Sequence, residues 1–389
     1  MMLLKVGWRN IGRRKGRTAL TTLAMGIGLG MTLGAITLQN GITEELFDEM
    51  VTDTLGHVQL HHHQYPETKR PHFTLTQVSE TITRLEAETA VSLAIPRVYS
   101  FALAGGESES TGAFVMGVDP QKEKKLSEIH LEVKQGQWLS ESTEEGVLNK
   151  EVVIGVELAR ELKLELGQKL ALIGQDGYGS VANDLFVIVG LVESGSVEMD
   201  RGGVWIPIKT LQSFLALEDQ VHEIVVLGQA TQRHHFNPNQ IQDLQRLKTR
   251  IENALIGLPG AAEQVPLLIE TWKESNPSTS QLIDSQAIGA YVMLMIVFLV
   301  SALGILNTLL MAVFERTREL GVLLAIGTSP QRIFAMVVSE AWILAILASL
   351  VGLLIGGVFS FWLVEYGLDF SVQNGEGVSY GGVRLSPSI

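Results

Sequence analysis

The sequence contains no cysteine among its 389 residues, which excludes disulfide bonds and thiolate chemistry. It also contains no G-x-x-x-x-G-K-[ST] sequence, the loop with which P-loop ATPases hold nucleotide phosphates. The segment 174–179 is rich in glycine, but its Asp-Gly pair lies between two strand-like runs and predicts a hairpin. If ATP drives this protein, another polypeptide must bind it.

Basic charge is scarce outside the amino end. Residues 1–18 carry six basic side chains and no acid, whereas residues 39–284 carry 19 basic and 36 acidic ones, a formal charge of −17. The positive-inside rule therefore predicts a cytoplasmic amino terminus and an acidic middle region on the other side of a membrane. The excess of acid argues against nucleic acid as a partner, because phosphate contacts need a basic face.

Long apolar runs are few, and three of them predict membrane-spanning helices: 19–38, 285–314 and 333–364. The first run has 20 residues, roughly 30 Å of helix, which matches the hydrocarbon core of a bilayer. A cleaved signal peptide is the alternative, but the run exceeds the usual apolar region of about 7–15 residues. Before it, residues 1–18 predict an amphipathic elbow helix in the headgroup layer, with Leu4, Trp8 and Ile11 on one face.

Small residues and one acid distinguish these runs. Gly26, Gly30 and Gly34 recur every fourth residue of the first run, and Gly352 and Gly356 do so in the third. This spacing predicts faces on which another helix approaches closely.

Glu340 is the only acid between residues 333 and 364. A local helix contact or snorkelling is the favoured interpretation of Glu340, and an intramembrane functional group is the alternative.

The middle region, 39–284, mixes strand-like and helix-like patterns. His61, His62 and His63 follow a strand-like start, where adjacent side chains point to opposite faces, so they do not converge on one metal ion. We expect solvated histidines on an edge strand instead. No spacing places a nucleophile beside its base or builds a set of metal ligands, so we expect neither a catalytic nor a metal site.

A polar segment, Glu-Arg-Thr-Arg-Glu-Leu-Gly-Val-Leu-Leu-Ala-Ile-Gly at 315–327, separates the second and third apolar runs. Its charges alternate, and Leu320, Leu323 and Leu324 have helical spacing, which predicts a short amphipathic helix. A solvated connecting helix is the simplest interpretation. The order of residues and their position between two spans, however, closely resemble the coupling helix of ABC transporter permeases of the FtsX/MacB/LolC/LolE family.

Pieces of the middle region resemble the periplasmic core domain of the same family. In chain order they are Met116–Pro120, Gly136–Leu139, Val153–Gly155, Leu166–Gln168 and Phe186–Gly190. The resemblance implies an α-helical transmembrane bundle and a large mixed α+β extracytoplasmic domain of two lobes, the first split around the second. It also implies a fourth span after the periplasmic segment 365–389, so we expect the sequence to be truncated. The alternative is a protein of three spans with its carboxyl terminus outside.

In this family the coupling helix, here within the cytoplasmic segment 315–332, docks into a separate ATPase. The resemblance implies that ATP and Mg²⁺ bind to that partner, with no cofactor bound by this chain. The implied ATPase-coupling residues are Glu315, Arg316, Thr317, Arg318, Glu319, Leu320, Gly321, Leu323, Leu324 and Gly327. Stalks at Gly41–Met50 and Gln281–Tyr291 would transmit the movement.

The resemblance further implies a multi-pass protein of the inner membrane that pairs with a second permease, a copy or a paralogue. Lipoprotein release is the first choice of function, and MacB-like efflux with a periplasmic adaptor is the second. FtsX-like control of cell-wall hydrolases is the third. An ATP-independent membrane-anchored sensor is the hypothesis from another class of protein.

Overall fold

The computed structural model describes residues 15–47, 51, 54–140, 148–229, 240–256, 267–366, 379–380 and 383–384. The chain divides into two compact units. We call them the helical unit (1–43, 283–370 and 387–389) and the sheet unit (44–282 and 371–386). Residues 1–14 of the predicted elbow helix, with Leu4, Trp8 and Ile11, lie outside the described residues, and so does most of segment 365–389. Residues 15–18 form the start of the first long helix.

The helices and strands are numbered in chain order. The helices are α1 (Lys15–Phe47), α2 (Tyr65–Thr68), α3 (Val78–Ala87), α4 (Pro120–Leu126), α5 (Val156–Leu162), α6 (Val197–Gly202), α7 (Ile208–Phe214), α8 (Gln240–Ala254), α9 (Trp272–Ser275), α10 (Pro277–Glu315), α11 (Thr317–Ala325) and α12 (Pro330–Tyr366). The strands are β1 (Val58–His62), β2 (Val91–Gly105), β3 (Ser110–Val118), β4 (Val133–Gly136), β5 (Glu151–Gly155), β6 (Lys169–Gln175), β7 (Val181–Val192), β8 (Gly203–Pro207), β9 (Glu223–Gly228), β10 (Leu267–Thr271), β11 (Ser379–Tyr380) and β12 (Val383–Arg384).

Among the residues that the structure describes, three helices are long and apolar enough to cross a membrane, at Thr18–Thr43, Pro277–Asn307 and Pro330–Glu365. They lie in α1, α10 and α12, each of which includes one of the predicted apolar runs. The structure shows that α1 and α10 continue without a break through 33 and 39 residues. Each therefore includes a predicted span and residues of the predicted stalk in one helix.

The sheet unit is built on a continuous ten-stranded sheet. Its strands follow the order β10-β1-β9-β2-β3-β8-β5-β7-β4, with β6 paired to β2 and β7. Neighbours are antiparallel except for β3 with β8 and β5 with β7. The 15-residue β2 changes partners along its length, since 91–97 pairs with β9 and 98–105 pairs with β3. β2 thereby connects the strands on the β9 side of the sheet to those on the β3 side.

The histidines in and after β1 differ in how far they are exposed to solvent. The expectation of solvated edge histidines is wrong for His61, because β1 lies between β9 and β10 and its side chains are covered. His61 is buried, and its Nε2 lies 3.2 Å from Oε1 of Gln59. His62 instead stacks on Phe73, with ring centroids 4.8 Å apart. The sequence pattern could not reveal this, because β10 is more than 200 residues away in the chain.

The glycine-rich segment after β6 forms the predicted hairpin. Gln175 pairs with Val181 across the turn, in the antiparallel ladder of β6 and β7. Oδ1 of Asp176 accepts hydrogen bonds from the backbone N–H groups of Tyr178 and Ser180. Asp176 therefore stabilises the turn itself, as aspartate commonly does at such positions.

Two buried histidines in the sheet unit are held in the neutral form. Burial lowers the pKa of His57 and of His222 to about 4. Nδ1 of His57 accepts from the N–H of Gly228 at 3.0 Å, and Nδ1 of His222 accepts from the N–H of Tyr99 at 2.9 Å. Protonation of either Nδ1 would break its hydrogen bond.

We therefore expect acid to destabilise the sheet unit before its carboxylates titrate. Both pKa values in the fold lie below the unfolded value of about 6.5, so stability is complete above pH 6.5 and falls as the pH decreases towards 4. Between pH 6.5 and pH 5 the free energy of unfolding should fall by about 2 kcal/mol per histidine. Urea unfolding of the full chain, followed by tryptophan fluorescence, measures this, and equal midpoints at pH 7.5 and 5 would contradict it.

Candidate functional site

The predicted coupling segment forms a separate short helix, α11. Arg316 is the only residue between α10 and α11, and its φ of −114° breaks the helix there. At the other end Gly327 has a φ of +94°, which a residue without Cβ adopts readily. The N–H of Gly327 donates to the carbonyl of Leu324 and that of Thr328 to the carbonyl of Leu323, each at 3.0 Å. These two bonds are the Schellman motif that ends a helix at glycine.

No residue of α11 is buried. Arg318 and Glu319 are exposed in the first turn, where the carboxylate of Glu319 is favoured by the positive end of the helix dipole. Leu323 and Leu324 are also exposed, by 37% and 47%. Neither leucine is buried against the part of the chain that the structure describes. Their apolar surface is left for a membrane surface or a partner.

Arg316 makes a contact that its position in the charged segment does not predict. Its Nη1 lies 3.6 Å from Oε2 of Glu340 in α12, and their side chains are only 18% and 14% exposed. Glu340 therefore makes the local helix contact that we favour from sequence, with an arginine 24 positions earlier in the chain. The Arg316 guanidinium, which was expected to bind the ATPase, faces another helix of its own chain.

The glycines of α1 and α12 lie opposite each other in the helical unit. A Cβ added at Gly26, Gly30 or Gly34 would lie 2.5, 2.9 or 2.2 Å from a side-chain atom of α12, on Val351, Ile355 or Phe359 respectively. Reciprocally, a Cβ at Gly352 or Gly356 would meet Leu29 or Leu33. Side chains from each helix thus fill the spaces left by glycines on the other.

The register of this contact gives the direction of the helices. Gly26 lies opposite Val351, Gly30 opposite Ile355 and Gly34 opposite Phe359, so residue numbers increase together. Farther along the same face, Oγ1 of Thr37 donates to Oγ of Ser360 at 2.8 Å. The two helices therefore run parallel, and α11, which precedes α12, is at the same end of the helical unit as the start of α1.

The glycine contact predicts a specific defect. We expect Gly30→Leu to weaken packing of α1 on α12 by about 1–3 kcal/mol, because the backbone N of Gly356 lies 3.1 Å from the added Cβ and cannot yield easily. Gly28→Leu, in the same helix, is the matched control, since no atom lies within 4 Å of its Cβ position. The measurement is the midpoint of denaturation by SDS after extraction in mild detergent, and equal midpoints would refute the assignment.

Two buried contacts in the sheet unit involve residues in, or just after, the first predicted stalk. Phe47, the last residue of α1, packs edge-on against Trp272 with ring centroids 5.6 Å apart, and both are buried. Arg97 in β2 donates through Nε to Oε2 of Glu123 at 3.3 Å and through Nη1 to the carbonyl of Thr54. Both side chains of the ion pair are 3% exposed. Burial alone would lower the pKa of Arg97, but the charge of Glu123 outweighs it and raises that pKa.

The described residues offer no group of three His, Cys, Asp or Glu side chains that could hold a metal ion. Nδ1 of His57 and Nδ1 of His222 each accept a hydrogen bond from a different backbone N–H group, as described above. The geometry instead offers two features. One is the exposed, charged helix α11 between two long apolar helices, and the other is the close packing of α1 on α12. Such an arrangement can bind a partner and move, and comparison with known proteins identifies its type.

Residues 18–234 match the sequence profile described as the MacB-like periplasmic core domain, which is more than half of the chain. Residues 291–381 match the FtsX-like permease C-terminal profile. The chain belongs to this MacB-like and FtsX-like permease family. The FtsX-like match covers α11 and α12, and so includes the charged helix, Glu340 and the glycines of α12.

Individual relatives have low sequence identity to this chain, but the matched regions are long. The chain is 20% identical over 362 residues to a lipoprotein-releasing system transmembrane protein LolC of Neisseria meningitidis, covering 90% of this chain and 80% of that protein. It is 22% identical over 386 residues to a macrolide export ATP-binding/permease protein MacB of Nitrosomonas europaea. That match covers 96% of this chain, which spans about half (54%) of the relative.

Among solved structures, the periplasmic region of MacB from Actinobacillus actinomycetemcomitans matches with 14% identity and a TM-score of 0.36. It covers 58% of this chain and 91% of that structure. Together with the family assignment, the relatives identify the permease as an ABC transporter permease of the LolC/MacB/FtsX type.

Proposed function

We propose that this permease couples ATP hydrolysis by a separate ATPase to movement of its sheet unit, and that its cargo is lipoprotein released from the inner membrane. The observation that carries the proposal is α11, an exposed charged helix with exposed leucines between two membrane-spanning candidates. A helix with unpaired apolar surface and charges at one end suits a groove on a partner. ATP and Mg²⁺ would bind to that partner.

Orientation in the membrane is part of the proposal. The six basic residues of 1–18 favour a cytoplasmic amino terminus, and the −17 charge of residues 39–284 suits the periplasmic side. Because α1 and α12 run parallel, α11 would then be cytoplasmic, where ATP is available. Both features support placing α11 on the ATPase side.

Transmission would use the long helices. α1 and α10 continue unbroken from their spans into the stalks, and Phe47 at the end of α1 contacts Trp272 in the sheet unit. The Gly26–Gly34 face would keep α1 on α12 during the movement. A single chain has one coupling helix, so we propose that it pairs with a second copy or a paired permease to bind the two ATPase subunits.

The residues proposed to contact the ATPase are those of α11 and its ends. They are Glu315, Thr317, Arg318, Glu319, Leu320, Gly321, Leu323, Leu324 and Gly327. Charged members would pair at the surface of the ATPase, and the leucines would enter its groove. Gly327 contributes through the Schellman motif, which fixes where α11 ends.

Lipoprotein release is favoured by the LolC match, which covers most of both proteins. MacB-like efflux through a periplasmic adaptor is the second candidate, because MacB matches 96% of this chain. Tagged permease purified from native membranes in mild detergent, followed by mass spectrometry, separates them. Co-purification of a soluble ATP-binding-cassette protein and acylated lipoproteins is expected; an adaptor with an outer-membrane channel would favour efflux instead. Recovery of no ATPase would favour a membrane-anchored sensor.

A further inference from the structure

Arg316 is the residue at which three helices of the helical unit meet. Its backbone N–H donates to the carbonyl of Val313 in α10 at 3.1 Å, and its own carbonyl accepts from the N–H of Leu320 in α11 at 2.9 Å. Its side chain reaches Glu340 in α12. One residue therefore holds the end of α10, the start of α11 and a site on α12.

At the position of Glu340, an unpaired carboxylate would be costly in free energy. Glu340 is the only charged residue between 333 and 364, and it lies ten residues after the start of α12, roughly 15 Å along the helix. An unpaired carboxylate among apolar side chains is expensive, and its usual solution is a charged partner within the bundle. The long side chain of Arg316 supplies that partner from the helix break.

α11 is also connected to α12 through the chain. Ile326, Gly327, Thr328 and Ser329 lie between the end of α11 and the start of α12, and α11 has no buried side chain. The carboxyl end of α11 is thus connected to α12 by four residues, whereas its amino end is connected to α12 through the Arg316–Glu340 pair. Without the pair, the amino end of α11 could follow α10 alone.

We propose that Arg316 and Glu340 are positioning residues whose ion pair fixes the start of α11 to α12. Resting on the proposed function, the pair makes a displacement of α11 by the ATPase move α12 together with α10. Arg316 then acts inside the permease and does not contact the ATPase. The glycine contact passes the movement of α12 on to α1.

The test uses the absence of cysteine, which allows two spin labels to be placed cleanly in the full chain. Val322→Cys lies on α11 and Glu365→Cys near the end of α12, and both positions are exposed. Electron paramagnetic resonance of the permease in lipid nanodiscs then gives the distribution of distances between the labels. The variants are Arg316→Gln, Glu340→Gln and the exchanged pair Arg316→Glu with Glu340→Arg.

The permease with the native pair should give one narrow distribution, each single variant a distribution at least twice as wide, and the exchanged pair a narrow one again. Glu340→Gln removes a partly buried charge while keeping its shape, so a general loss of folding is not expected to cause the broadening. Single variants as narrow as the native pair, or an exchanged pair as broad as the single variants, would overturn the proposal.

Binding of the ATPase separates this inference from the proposed function. Arg316→Gln should keep its affinity for the ATPase within threefold, whereas Glu319→Lys should lose at least tenfold. An equal loss in both would overturn the positioning role and make Arg316 an ATPase contact. If the native permease binds no ATPase, the proposed function fails, and the label distances alone decide whether the pair positions α11.

Discussion

Glu123→Gln should lower the free energy of unfolding of the sheet unit by about 3–5 kcal/mol, because it leaves Arg97 charged and buried without its partner. The glutamine has the shape of glutamate, so the loss reports charge and not a cavity. Arg97 and Glu123 are both 3% exposed, and water cannot replace the missing carboxylate. Urea unfolding of the full chain followed by tryptophan fluorescence is the measurement.

The control is an exposed ion pair in the same unit. Arg160 and Glu157 lie 2.6 Å apart, but Arg160 is 74% exposed, so Glu157→Gln should cost less than about 1 kcal/mol. A second control replaces both buried partners, Arg97→Met with Glu123→Leu, and should recover much of the loss since no charge stays buried. Equal losses of unfolding free energy in Glu123→Gln and Glu157→Gln would show that the buried pair stabilises the sheet unit no more than the exposed pair does.

The functional consequence of Glu123→Gln follows from a third contact. Arg97 also donates to the carbonyl of Thr54, in the segment that follows the predicted stalk. Loss of the pair should therefore loosen the point where the stalk enters the sheet unit. Faster hydrogen exchange at residues 54–60 than at β7 in the variant would show it.

Glu319→Lys should weaken binding of the ATPase at least tenfold, which corresponds to about 1.4 kcal/mol or more. Reversal of an exposed charge in an interface adds repulsion to the loss of a favourable pair. Glu319 is exposed in the first turn of α11 and supports no buried group there. The affinity of purified ATPase for the permease in nanodiscs is the quantity to measure.

Two controls separate binding from folding of α11. Glu319→Gln removes the interaction with the helix dipole, worth about 0.3–1 kcal/mol, without adding repulsion, so it should weaken binding less than Glu319→Lys. Glu161→Lys makes the same charge change at an exposed position of α5 in the sheet unit and should leave the affinity unchanged. If all three variants bind like the native protein, α11 is a solvated connection and not a docking helix.

The sequence predicts the features that depend on local pattern. Apolar runs give the three long helices, the i, i+4 glycines mark the faces that meet between α1 and α12, and Gly327 marks the end of α11. The Asp176 turn is local as well. In each case the residues that decide the structure are within a few positions of one another.

Contacts between residues that are far apart in the chain cannot be predicted from the local sequence pattern. The burial of His61 depends on β10, which covers β1 only in the fold. The pairing of Arg316 with Glu340 depends on how α12 packs beside the break between α10 and α11. The alternating charges of 315–319 predict only a solvent-exposed helix face. An isolated acid in an apolar run was the one available signal, since such a group requires a partner.

The most direct test of the coupling function is photo-crosslinking from α11. A benzoylphenylalanine at Arg318, which is exposed in α11, should crosslink in native membranes to a soluble ATP-binding-cassette protein. The same probe at Tyr178, on the β6–β7 hairpin, should not. Crosslinks from position 318 to lipid alone, or to the same partners as position 178, would contradict the assignment of α11 as the ATPase-docking helix.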